Sequence, residues 1–226
     1  MRLARYEALF DESPLPRLWQ LMGVEHVLTW RDPTRMPQAE LLSWFPAADG
    51  ATFLYRLQTL NPRAWVVNNI LVVEDTQALK LLADPGFDLN RAALLPSSVD
   101  WAPVFFISGH NEVSMQRLSP NRLRVHVQSE YGGVLVISEN WMPGWRATRY
   151  DVGSKRGSGE PLPLARANLT LLGMPVPPGE SEIELLYWPD SVRYGLLISG
   201  TTLALLGLFV LWHWYAKRSV IVPSTQ

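Results

Sequence analysis

Cysteine is missing from all 226 residues. That excludes disulfide frameworks, Cys-ligated zinc, iron–sulfur clusters and thiol catalysis together, while leaving the compartment open. Charge is also scarce: charged residues make up 18% of the chain, and 20 Lys+Arg against 21 Asp+Glu give a formal net charge of −1. With no basic excess to neutralise phosphates, nucleic acid is not an expected partner. The four histidines, His26, His110, His126 and His213, are scattered with no pair at metal-ligand spacing, so neither metal nor cofactor is expected. A nucleophile elbow is missing, and the glycine-rich run 153–159 lacks the Lys-Ser/Thr ending of a phosphate loop, so it reads as a hairpin tip. Asp100, Glu139 and Asp151 are of the type that serves acid–base chemistry, but sequence alone does not pair them in space.

Apolar residues make up 47% of the chain and are unevenly spread. Residues 194–215 (YGLLISGTTLALLGLFVLWHWY) carry no Asp, Glu, Lys or Arg. As a helix they reach about 33 Å, just over the roughly 30 Å hydrocarbon thickness. Ten Leu, Ile, Phe or Val residues between Leu196 and Leu211 favour insertion by roughly −3 to −6 kcal/mol. Ser199, Thr201 and Thr202 are placed to bond carbonyls one turn earlier. Tyr187, Trp188 and Tyr194 at one end, with Trp212, Trp214 and Tyr215 at the other, match an aromatic belt. The sequence thus predicts a transmembrane helix over 191–216 and a short cytoplasmic tail over 217–226. The alternative is a helix buried in a soluble core. Gly200, Ala204 and Gly207 share one helix face; they admit close approach of other transmembrane helices, or simply reflect how common small residues are in such spans.

Lys217 and Arg218 after the span outweigh Arg193 before it, which places the C-terminus in the cytoplasm and the large domain outside. The stretch MRLARYEALFDESPLPRLW has no apolar region of the signal-peptide kind, which conflicts with that orientation unless other membrane helices deliver the domain. A tail-anchored cytoplasmic protein is the remaining topology.

The body reads as α+β, mainly β. Ser13 is placed to cap a short helix that Gly23 ends, with Leu15, Leu18 and Leu21 or Met22 on one face. Residues 24–30, 52–57 and 65–73 read as strands, and Asp75 as the N-cap of a helix that Pro85-Gly86 stops. Residues 1–96 are therefore expected to form a small α+β unit. Residues 97–190 are expected to be an antiparallel β-sandwich, with strands at 104–108, 122–128, 134–138, 145–150, 169–172 and 181–187. In the second of these, Leu123, Val125 and Val127 alternate with Arg124, His126 and Gln128. In the last, Ile183, Leu185 and Tyr187 point inward and Glu182 and Glu184 outward. Asn168-Leu169-Thr170 fits the short glycosylation pattern. Trp141, Trp145, Tyr150 and Trp188 are either large fillers of the sandwich core or flat faces for carbohydrate or partner contact.

Several segments, in order, resemble the YfhO-like bacterial membrane proteins. LMGVEHVL at 21–28 is similar to their LLGVRYVL, NPRAWVV at 61–67 to LPRAFVV, and ADPGFD at 83–88 to dPxFDP. The most specific, VLVISENWMPGW at 134–145, is similar to LLVLSExYYPGW. ARAN at 165–168, VPPG at 176–179 and LYWP at 186–189 follow. RYDV at 149–152 and the glycine-rich tip stand where the family has a shorter turn. The resemblance covers nearly the whole chain but only the C-terminal part of that family. It implies the exported C-terminal module and last membrane helix of a polytopic, integral-membrane glycosyltransferase-like protein of the bacterial cell membrane. Such proteins use polyprenyl-phosphate sugars, and members are linked to glycosylation of cell-wall glycans and other envelope polymers. The loop carboxylates expected to carry catalysis lie outside the matched part, so no catalytic residue is transferred. The alternative is a non-enzymatic membrane-anchored interaction or carbohydrate-binding protein.

Overall fold

The unbroken apolar run at 134–137 requires a strand buried on both faces, and its position organises the molecule. A computed structural model describes residues 2–30, 39–48, 50–58, 61–101, 109–151 and 159–218. The run lies in β9 (Gly133–Asn140), inside a four-stranded antiparallel sheet with β12 (Ala165–Ala167), β13 (Leu171–Val176) and β4 (Ala64–Val67), in the order β12-β13-β9-β4. Alternation divides its side chains between two cores. Leu135 and Ile137 join Ala64, Val66, Leu172 and Met174 on one face. Val134 and Val136 join Trp65, Val67 and Leu171 on the other.

The first core is closed by a five-stranded sheet, β11-β10-β14-β8-β7, comprising β7 (Asn111–Ser119), β8 (Arg122–Ser129), β10 (Trp145–Asp151), β11 (Glu160–Leu162) and β14 (Gly179–Tyr187), in which β11/β10, β14/β8 and β8/β7 run antiparallel. Leu123, Val125 and Val127 of β8, with Ile183 and Leu185 of β14, supply its inward face. This pair of sheets is the expected sandwich. The second core is closed by α1 (Arg2–Glu12), α2 (Leu15–Met22), α3 (Asp75–Ala83) and a parallel pair, β5 (Asn69–Val72) with β6 (Ala92–Leu95). A third sheet, β1 (His26–Thr29), β3 (Gly50–Leu57) and β2 (Ala39–Ala47), has the order β1-β3-β2.

The expected division at residue 96 is not where the molecule divides. Strand β4 pairs with β9, and Leu9, Leu82 and Leu94 share one core with Val134, Ala167 and Leu171. Residues Met1–Leu186 therefore form one compact unit, and Tyr187–Gln226 a second. Strand 65–73 is in fact two strands. It breaks at Asn68, whose buried amide donates to the Gly132 carbonyl and accepts from Asn111 Nδ2 at 3.1 Å. A buried amide with partners on both sides ties the chain at the point where it leaves an antiparallel sheet for a parallel pair. The turn into β9 is equally constrained. At Gly133, φ 155°, a Cβ would lie 2.5 Å from the Val67 carbonyl, so only glycine permits this approach.

Both expected helix caps are corrected. The residue before α2 is Pro14, with no side-chain capping bond, so Ser13 does not cap it; Gly23 ends the helix in the left-handed conformation (φ 60°, ψ 40°), as expected. The N-cap of α3 is Glu74, and Asp75 is the first helical residue. Its carboxylate receives Arg5 of α1 and Arg166 of β12, each at 2.5 Å, so a tertiary ion cluster takes the place of a local cap. Leu169 belongs to a turn with Asn168, both at positive φ (70° and 45°), and the strand begins at Leu171. The expected strand at 104–108 and most of the tip at 153–159 lie outside the described residues.

The second unit is dominated by α4 (Asp190–Arg218), 29 residues or about 43 Å long. That length is sufficient for the hydrocarbon core of a bilayer and both interfacial layers. It is the helix, among the described residues, long and apolar enough to cross a membrane, and none of its apolar window is buried. The alternative of a core helix needs that burial.

Candidate functional site

Two features of the structure are candidates for function: the bare apolar helix, and a polar corner built where β9 is irregular. In α4, Thr201 Oγ1 donates to the carbonyls of Leu197 and Ile198, both at 2.9 Å, and Thr202 Oγ1 to that of Ile198 at 2.8 Å. These hydroxyls are thereby satisfied without water, the condition for crossing lipid. His213 lies 6.3 Å from the ring of Phe209, stacked at 13°. Gly200, Ala204 and Gly207 lie exposed on α4, and a Cβ at either glycine would meet nothing within 4 Å.

The corner forms because β9 carries two residues more than its partner at one point: Ile137 pairs with Leu172 and Asn140 with Leu171. Ser138 and Glu139 fill this bulge, which re-aims their side chains out of the sheet alternation. Ser138 Oγ donates to the Leu21 carbonyl at 2.8 Å, satisfying one of the orphan acceptors at the end of α2, and Ser138 N–H donates to the Arg63 carbonyl at 2.8 Å. Gly23 packs over the same place: a Cβ there would lie 3.0 Å from Arg63 Cγ and 3.7 Å from Ser138 Oγ. The Glu139 carboxylate accepts from Arg63 Nη2 at 2.8 Å and from Arg117 Nη2. One carboxylate between two guanidinium groups leaves a local excess of one positive charge. Gln in place of Glu139 removes the charge and leaves both arginines facing each other. We expect E139Q to lower unfolding stability by about 1–2 kcal/mol, with the loss largest at low salt and reversed in part by R117Q. Urea titrations at two salt concentrations measure this.

The remaining sequence-predicted residues fall apart in space or into structural roles. Asp151 pairs with Arg149 at 3.6 Å and Asp100 is exposed after β6, so Glu139 does not share its arginines with either. Among the described residues no three His, Asp or Glu side chains gather as a metal requires. His110 meets Glu112 at 3.0 Å and His126 meets Glu180 at 3.2 Å. Trp141 and Trp145 pack, half-buried, against the sandwich core. Tyr150 is half-buried, its ring closely facing Gly159. Trp188 is exposed and belongs to the second unit. Asn168, read as a glycosylation acceptor, has 0% exposure, and Thr170 is buried too. A folded body cannot present that amide to a modifying enzyme.

The outer face of the five-stranded sheet carries an ion ladder. Glu184, read as outward, does leave the sandwich core, but it is buried beneath Arg122 and Arg124, which reach it at 2.6 and 2.8 Å. Burial pushes its carboxyl up, but the two guanidinium hydrogen bonds and charges outweigh this and hold it below the usual 4.5. A depressed folded-state value contributes stability above pH 4.5 that is lost as pH falls through it. Acid titration of unfolding stability is therefore expected to show a loss below about pH 4.5 that is smaller in E184Q.

No family model, no curated protein and no solved structure matches the chain.

Proposed function

We propose that this chain is the extracytoplasmic C-terminal module and last membrane helix of a YfhO-like polytopic membrane protein. Its role is in lipid-carrier-dependent glycosylation of bacterial cell-envelope polymers, with catalysis carried by membrane segments other than those described here. The observation that supports it most is the polar corner. Three of the segments that resemble the family, 21–28, 61–67 and 134–145, are far apart in sequence but meet at Gly23, Arg63, Ser138 and Glu139. A resemblance produced by chance composition has no reason to converge on one bulge. The apolar α4 fits the last membrane helix, and the excess of Lys217 and Arg218 over Arg193 favours an orientation with the body outside.

In this reading the body shapes the approach of acceptor polymer to the membrane-embedded catalytic part, and α4 packs on that part through Gly200, Ala204 and Gly207. Deleting the coding sequence in the source cell is expected to remove a sugar substituent from an envelope polymer. The full chain restores it, and a form lacking 190–218 does not. Unchanged envelope sugars after deletion, or a body shielded from protease once the outer barrier is opened, contradict the proposal.

A further inference from the structure

The third sheet departs from the rest of the body in what it shows to solvent. Trp30 is 81% exposed, Leu28 65%, Trp44 59% and Phe45 51%. Register puts these residues at one end. Thr29 and Trp44 both pair with Phe53, Leu28 pairs with Leu54, and Phe45 pairs with Thr52. Paired residues share a face, so Trp44 lies on the face of Phe53 and Tyr55, whereas Leu28 and Phe45 lie on the opposite one. Tyr55 and Leu57 at the other end of β3 are buried. The sheet is thus rooted at one end and apolar on both faces at the other. Left in water, such a patch on strands whose outer sides pair with nothing among the described residues invites aggregation.

We infer that this end of the β1-β3-β2 sheet is a second membrane contact, dipping into the headgroup–acyl boundary of the bilayer that α4 spans; the inference rests on the membrane reading of α4. Three observations favour lipid over a protein partner. First, a protein sheet or helix covers one face, whereas lipid surrounds a wedge that is apolar on both. Second, charge is sparse along β2 and β3 here: between Leu41 and Leu54 the sequence holds a single charged residue, Asp49, while on the β1 side Arg31 and Asp32 follow Trp30. Trp and Phe are the side chains that favour the interfacial layer, about 5–10 Å deep for peripheral elements. Third, the tether is short. Trp188 and Pro189 alone separate the end of β14 from the start of α4. Even weak interfacial affinity suffices at the effective concentration such a tether imposes.

The absence of cysteine makes the test direct. Single-cysteine forms of the full chain, W44C, F45C, E112C and L206C, are labelled with an environment-sensitive fluorophore. They are then placed in phosphatidylcholine–phosphatidylglycerol vesicles carrying spin-labelled acyl chains. Probes at 44 and 45 are expected to shift to the blue and lose most of their emission to a shallow spin label. The probe at 112, on the exposed face of β7, keeps its emission, and that at 206 loses it to a deep label. Quenching at 206 with probes 44 and 45 behaving like 112 overturns the inference while leaving α4 in the membrane. Probes 44 and 45 shielded from aqueous iodide but untouched by lipid spin labels also overturn it, and assign the sheet to a second copy of the chain or another protein. No quenching at 206 removes the membrane reading, and the docking with it.

Discussion

L203R/L206R is expected to move the chain from the membrane pellet to the alkaline-extracted supernatant, whereas L203I/L206I stays in the pellet. Both positions are exposed, near the middle of α4, and none of the apolar window is buried, so neither substitution disturbs a packed core. The apolar centre of the span favours insertion by roughly −3 to −6 kcal/mol. Each arginine at the centre costs about 2.5–3.5 kcal/mol and removes the contribution of a leucine, so two of them outweigh the whole driving force. The isoleucine pair keeps hydropathy and helix length. Near-ultraviolet circular dichroism of the body is expected to be unchanged in both, because its two cores are composed of residues before Leu186. An arginine pair that stays firmly in the pellet while the body remains folded contradicts the lipid assignment of α4.

The second large effect is expected at Asn168. Its Oδ1 accepts from Leu94 N–H at 2.9 Å and its own N–H donates to the Leu94 carbonyl at 2.8 Å, which ties the β12–β13 turn to β6 across the second core. Its φ of 45° lies in the left-handed region, where asparagine is tolerated and most side chains are strained. Asn168→Ala leaves a buried N–H at Leu94 without its acceptor, about 1–3 kcal/mol, and adds roughly 1 kcal/mol of backbone strain. Asn168→Gly loses the same hydrogen bond without the strain. Urea unfolding in detergent micelles is expected to rank wild type above Gly above Ala, with Ala about 2–4 kcal/mol below wild type. Equal stability of all three denies Asn168 its role as a core tie.

What could be read from the chain follows the range of the interaction. The α4 span, the alternation of β8 and the left-handed stop at Gly23 depend on neighbours within one or two turns, and all appear at the expected places. The apolar run of β9 also foretold a strand buried on both faces. Elements whose pattern is mixed were missed. Strand β2 contains Pro46 and places Trp44 and Phe45 in succession, which breaks period-two reading; the sheet edge tolerates both because its outer side pairs with nothing among the described residues. Helix α1 and strand β7 were likewise passed over. The Glu139 corner was beyond sequence reading for a plainer reason. Its arginines stand 76 and 22 residues away, and only the bulge in β9 aims the carboxylate at them. The one signal available was local: Ser138 and Glu139 follow four apolar residues inside a segment that resembles a family motif. Asp75 repeats the lesson, since its partners Arg5 and Arg166 lie 70 and 91 residues away and displaced the expected cap.

The claim on which the rest depends is that α4 lies in lipid. Flotation of the unmodified full chain with phospholipid vesicles through a sucrose gradient, after an alkaline wash and without detergent, tests it most directly. The account predicts that the chain rises with the lipid. Recovery at the bottom of the gradient as a soluble, monodisperse protein contradicts it.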